Sequence, residues 1–103
     1  MTARERLSNR RECEHFAVEV GGLHYVCTIG RYADGRIGEV FITNHRTGSG
    51  ADCNARDAAI AASIAIQFGA DLETIRRALC RDADGRPFGP LGAALDRIAE
   101  ETP

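Results

Sequence analysis

The sequence predicts an α+β domain in which a three-stranded antiparallel meander is followed by three helices packed on the sheet, in the order β-β-β-α-α-α. Three observations carry this. Hydrophobicity alternates with a period of two from Phe16 to Ile29 around a Gly21-Gly22 pair. A long, mostly apolar run with helical composition spans Ala55 to Phe68. Two further helix starts are marked by Asp71 and Pro90.

A chain of 103 residues is one domain with a single modest core, too short for a catalytic barrel or a two-domain cleft. Residues 1–13 read as a flexible arm, with Arg4, Arg6, Arg10 and Arg11 set against Glu5 and Glu12 and only Leu7 as a large apolar residue after Met1. The domain proper is expected over 14–101. Its first strand alternates Phe16, Val18 and Val20 with Ala17 and Glu19; Gly21-Gly22 supplies a tight hairpin turn. The second alternates Leu23, Tyr25, Cys27 and Ile29 with His24, Val26 and Thr28. Ala33-Asp34-Gly35-Arg36 is a second turn, leading into a third strand from Ile37 to Thr43. Val40-Phe41-Ile42 puts apolar groups on both faces, so both faces are expected to be covered: one by the helices, the other by the arm, a second copy of the chain or another protein. The open edges also need shielding.

Between Ala55 and Phe68 only Arg56, Asp57, Ser63 and Gln67 are polar, so this helix is expected to be the core helix, wrapped by other elements, with Asp52 or Asn54 as its N-cap. Gly69 suits the position just past its end. Asp71 caps a short helix from Leu72 to Leu79 with Leu72, Ile75 and Leu79 on one stripe. The segment Arg81 to Gly89 lacks the full acidic pattern of a calcium loop and reads as a polar turn. Pro90 opens a third helix running to about Glu101, with Leu91, Ala94, Leu95 and Ile98 as its apolar stripe.

A net charge of −2 with 27% charged residues argues against nucleic-acid or membrane binding by bulk electrostatics. Met1 to Cys13 has no apolar central region, and no stretch approaches the ~18 apolar residues of a membrane span, so a cytoplasmic protein with reduced thiols is expected. Cys13, Cys27, Cys53 and Cys80 contain no C-x-x-C pair. Cys27 and Cys80 lie in apolar patterns and are expected to act as small core hydrophobes. Cys13-x-His15 offers two metal ligands with nothing at recognisable spacing to complete a set, so neither metal nor cofactor is expected.

The strongest local hint of a site is the stretch before the core helix. Gly48-Ser49-Gly50 delivers the chain to a helix start, where unpaired N–H groups and the dipole favour an anion. It has neither the Gly-Lys-Ser/Thr of a P-loop nor a G-x-G-x-x-G between a parallel strand and a helix, so a plain flexible connection is the competing reading. His45, Arg46, Thr47, Gly48, Ser49, Gly50, Asn54 and Arg56 are the candidate residues for gripping a partner or an anion. Asp57 sits in the first turn, where the dipole alone accounts for a carboxylate, and Cys53 has no base assigned to it. No catalytic constellation stands out, and the chain is expected not to be an enzyme.

Taken together, the run from Tyr25 to Ile42 with its Gly38-Glu39-Val40-Phe41-Ile42, the Gly48-Ser49 loop, and Ser63-Ile64-Ala65-Ile66-Gln67-Phe68-Gly69 followed by Leu72-Glu73-Thr74-Ile75 resembles the TSCPD domain. That domain occurs at the C-terminal side of B12-dependent ribonucleotide reductases and in short free-standing proteins; the resemblance covers residues 14 to 98. The family is named for a Thr-Ser-Cys-Pro-Asp cluster before its last helix. The matching region here is Pro87-Phe88-Gly89-Pro90-Leu91, with Gly89 in the cysteine's place and Leu91 in the acid's. Any thiol or metal chemistry of that cluster is absent from this chain. The resemblance implies a non-catalytic accessory module that binds a protein partner, a reductase subunit or another complex, through the loop from His45 to Asn54 and the open sheet face. A regulatory module for a nucleotide or other anion, and a small mobile-element inhibitor of a host or defence complex, are the alternatives. A homodimer is also compatible with the open sheet.

Overall fold

A computed structural model describes residues 3–101. The order is β1 (Cys13–Val20), β2 (Leu23–Arg31), β3 (Ile37–Asn44), α1 (Gly50–Gln67), α2 (Leu72–Ala78) and α3 (Pro90–Glu101). This is the α+β arrangement expected, a meander with spatial order β1-β2-β3 and every pair antiparallel. Gly21 and Gly22 take φ of 58° and 77°, the two positive values that a tight hairpin turn requires.

The register pairs Phe16 with Cys27, Val18 with Tyr25, Cys27 with Ile42 and Ile29 with Val40. All these side chains therefore point to one face, because strand side chains alternate. That face is the core, closed by Ala55 and Ala59 of α1 and by Leu91, Ala94, Leu95 and Ile98 of α3. Burial pushes the Cys27 thiol up to about 11. Cys80 is exposed instead of buried, a correction to the sequence reading: it falls after the last turn of α2, where no layer closes over it. The opposite sheet face is covered by the chain at its Gly30 and Glu39 end, where Glu39 is 5% exposed, and is open elsewhere, with Val26 49% and Phe41 43% exposed.

Helix α1 runs along the free edge of β3 and stands in for a missing fourth strand. The Ser63 hydroxyl accepts from the Val40 N–H at 2.9 Å and donates to the Val40 carbonyl at 2.8 Å. Gln67 Nε2 donates to the Gly38 carbonyl at 3.0 Å, and Asp52 Oδ1 accepts from the Asn44 N–H at 2.9 Å. Outward-facing backbone groups that would otherwise invite another strand are satisfied within the chain. The face of α1 turned to this edge must be small or polar, which is why its buried residues are Asp52, Ala55, Ala59, Ala62, Ser63 and Gln67. Its large side chains go outward: Ile60, Ile64 and Phe68 are 40–47% exposed. The expectation of a helix wrapped on all sides is thus corrected.

The residues before β1 cross the end of the sheet. The Glu5 N–H donates to the Gln67 carbonyl at 2.7 Å, Tyr32 Oη donates to the Glu5 carbonyl at 2.6 Å, and Arg36 grips the Glu5 carboxylate at 2.8 and 3.0 Å. Arg11 forks onto Glu39, whose carboxylate lies in the space left by Gly30 on the neighbouring strand. A Cβ at position 30 would come within 2.8 Å of Glu39 Cγ and Cδ. Gly30→Ala is therefore expected to displace Glu39, break its pairing with Arg11 and loosen residues 3–12. Limited trypsin digestion should then cut after Arg10 or Arg11 several-fold faster while the rest of the fold persists; an unchanged cleavage rate would show that Glu39 relocates with its partner.

Helices α2 and α3 are joined by charge as well as by apolar contact. Asp96 of α3 accepts from Arg81 at 2.6 and 2.8 Å and from Arg76 of α2 at 3.1 Å. Arg81 chiefly, and then Arg76, holds the Asp96 carboxyl below its ordinary range. The segment between α2 and α3 is a polar turn, as read from the sequence: Asp82 Oδ1 accepts from the N–H of Asp84 and of Arg86, each at 2.9 Å.

Candidate functional site

The connection from β3 to α1 is built around one buried carboxylate. Asp52 is 1% exposed and accepts from the Asn44 N–H at 2.9 Å, the Gly48 N–H at 3.0 Å and Arg56 Nε at 3.0 Å. Those backbone donors from Gly48 and Asn44, with Arg56 behind them, hold its carboxyl below the ordinary aspartate value. Asn44 works from the other side. Its Nδ2 donates to the His24 carbonyl at 3.0 Å, and its Oδ1 accepts from the Arg46 N–H at 2.9 Å. The Ser49 N–H donates to the Arg46 carbonyl at 3.2 Å.

The N-cap of α1 is Ser49, whose hydroxyl accepts from the Asp52 N–H at 3.1 Å. This replaces both Asp52 and Asn54 in that role, and the helix begins at Gly50, ahead of the expected Ala55. The physical reason is the Ser49-x-x-Asp52 spacing, in which the hydroxyl caps the first turn while the acid three residues on reaches back to the loop. The sequence reading passed over this spacing, and with it the structural parts of Asp52 and Asn44. The loop thus already surrounds an anion, one supplied by the chain itself.

His45, Arg46, Thr47, Gly48 and Gly50 lie together and exposed on this loop, with Ser49 half-buried between them. Arg56 is drawn to the base of the loop by Asp52. Asn54 is separated from the cluster, facing an apolar recess formed with Ala58, Leu79, Phe88 and Pro90. His45 extends the line of Phe41 and Thr43 on the outer sheet face. Its ring meets that of His24 edge-on at 6.5 Å, and His24 lies 3.7 Å from Glu19. Loop and open sheet face therefore form one continuous surface, with Phe41 and Val26 as its apolar part.

Among the described residues no group of three or more His, Cys, Asp or Glu is arranged to hold a metal ion. No helix of the described residues is long and apolar enough to cross a membrane. Cys53 is exposed on the first turn of α1.

These features define a small α+β module whose most distinctive surface is a braced, exposed loop beside an open sheet. The chain is similar to a small part of B12-dependent ribonucleotide reductase. It is 40% identical over 70 residues to the vitamin B12-dependent ribonucleotide reductase of Agrobacterium fabrum, and 36% identical over 73 residues to that of Bradyrhizobium diazoefficiens. The matched regions take in 68% and 71% of this chain and 6% of each relative, so the chain spans only a small fraction of the length of those enzymes. No family model matches the chain, and no solved structure matches it.

Proposed function

We propose that the chain is a non-catalytic accessory module, of the TSCPD kind, that docks on a protein partner through the loop from His45 to Gly50 and the adjoining sheet face. The similarity to a 6% segment of a B12-dependent reductase makes a reductase the first partner to test. The observation that carries the reading is the bracing of the loop by Asp52. A connection held at both Asn44 and Gly48 presents His45, Arg46 and Thr47 in a fixed arrangement, so little ordering entropy is lost on docking. Arg46 is exposed, and its guanidinium has no acidic partner among the described residues. It is thereby available to a carboxylate on the partner.

The anion-binding alternative draws on the same arginine but has fewer donors to call on, since Gly48 and Asn44 already donate to Asp52. Affinity capture of a tagged chain from its native host, followed by mass spectrometry, is expected to recover a reductase in stoichiometric amount. Arg46→Glu should weaken that capture about tenfold or more without lowering the melting temperature, as fits a docking arginine at an interface. Recovery of an unrelated complex would favour the inhibitor reading. A rise in melting temperature on titrating ATP or dATP, cancelled by Arg46→Glu, would favour the nucleotide reading.

A further inference from the structure

We propose that the outer face of α1 is a two-fold interface between copies of this chain. Ile60, Ile64 and Phe68 stand in one row and are 47%, 40% and 47% exposed, with the small, exposed Ala61 beside them. Three half-exposed large side chains on one helix face are a contact surface and not scattered apolar exposure. The charges at its two ends identify the occupant. At the N-terminal end, Asp57 lies on the same face as Ile60 and Ile64 and is exposed, with no basic partner among the described residues. At the C-terminal end the chain crosses Gln67, where Arg4 Nε donates to Gln67 Oε1 at 2.6 Å, and brings up Arg6, which has no acidic partner among the described residues.

An antiparallel pairing of two α1 helices about an axis passing between Ile60 and Ile64 joins these features. It packs Ile60 against Ile64 of the second copy, lays Arg56 against the second copy's Phe68, and sets Asp57 opposite the end where the second copy carries Arg4 and Arg6. Each contact then occurs twice, as a two-fold interface requires. An arginine over an aromatic ring and an acid facing arginines are both favourable pairings. Antiparallel helices also align their dipoles favourably. A helix of 18 residues is about 27 Å long and 10 Å across. Even with the flanking arm, its face falls below the standard of about 800 Å² per partner, among the weak and transient contacts. The dimer is accordingly expected to dissociate at micromolar concentrations. It leaves the loop at His45 to Gly50 free but borders the docking face at Phe41, which lines one groove with Arg56 and Ile60, so the Arg46→Glu variant below is needed to separate the two surfaces.

Sedimentation velocity of the full chain over a concentration series tests it. The wild type is expected to approach a two-chain mass at high micromolar concentration. Ile64→Glu should remain monomeric with unchanged circular dichroism, and Asp57→Arg should weaken association at least tenfold. Adding Arg6→Asp to Asp57→Arg should restore part of that loss. Arg46→Glu should dimerise as the wild type does, which separates this surface from the docking loop. A wild type that is monomeric at several hundred micromolar overturns the proposal, as does a dimer indifferent to both Ile64→Glu and Asp57→Arg. Should Ile64→Glu unfold, Asp57→Arg decides alone, because its side chain is exposed and unpaired.

Discussion

Replacing Ser63 with alanine is expected to destabilise the protein by about 2–4 kcal/mol, a fall in melting temperature on the order of 10–20 °C for a domain of this size. A mid-helix serine would ordinarily be replaceable at little cost, since alanine is the better helix former. Here its hydroxyl serves both the N–H and the carbonyl of Val40, and Ser63 is 5% exposed, so water has poor access to take its place. Leaving a buried donor or acceptor unmade costs about 1–3 kcal/mol each, and two are left. Urea unfolding of Ser63→Ala beside Ala61→Ser, an exposed change on the same helix expected to cost about 0.5 kcal/mol or less, measures the difference. Equal losses in the two variants would mean that α1 merely packs beside β3 and does not complete its edge.

That same contact shows where the amino-acid pattern could and could not be read. The strands were legible because a half-buried sheet forces a period of two on its residues. The Gly21-Gly22 turn, the Asp71 cap and the Pro90 start were legible because each is a local backbone requirement. The orientation of α1 was not. Counting apolar residues around the helix treats Ser63 and Gln67 as interruptions of a buried surface, whereas both are buried for the hydrogen bonds they make to β3. Hydrophobicity carries no information about which strand edge lacks a partner, and so a helix expected to be wrapped by other elements instead turns Ile60, Ile64 and Phe68 outward. Cys80 was misread likewise: it lines an apolar recess with Leu79, Phe88 and Pro90, but that recess is open and leaves the thiol exposed. At the candidate site the eight residues singled out do fall mostly on one loop. The residue that shapes it, Asp52, was read only as a possible cap because its partners, Asn44 and Gly48, lie behind it in the chain and become partners only once the loop has turned.

Asp52→Ala is expected to unseat that loop, lowering the melting temperature by on the order of 10 °C or more and removing the frame that holds His45, Arg46 and Thr47. Asp52→Asn separates charge from shape. It keeps the side chain's size but turns one acceptor into a donor facing a backbone N–H, so it should be nearly as damaging at neutral pH. The acid limb of the stability profile gives an independent check. The Asp52 carboxyl titrates lower in the folded chain than the ordinary 3.8, because the Gly48 and Asn44 N–H groups favour its ionised form. Its contribution is therefore fully present above the unfolded value and is lost as pH falls through the lower, folded one. The gap between wild type and Asp52→Asn should stay constant from pH 7 down to about 4, then narrow in more acid solution. Other paired carboxylates, Glu73 and Asp96 among them, are also shifted downward, but they are common to both proteins and drop out of the difference. A gap that persists unchanged below pH 3 would mean that the protonated acid supports the loop as well as the carboxylate does. The bracing would then come from Asn44 and Ser49 alone, and the fixed presentation of Arg46 on which the docking role depends would have lost its physical basis.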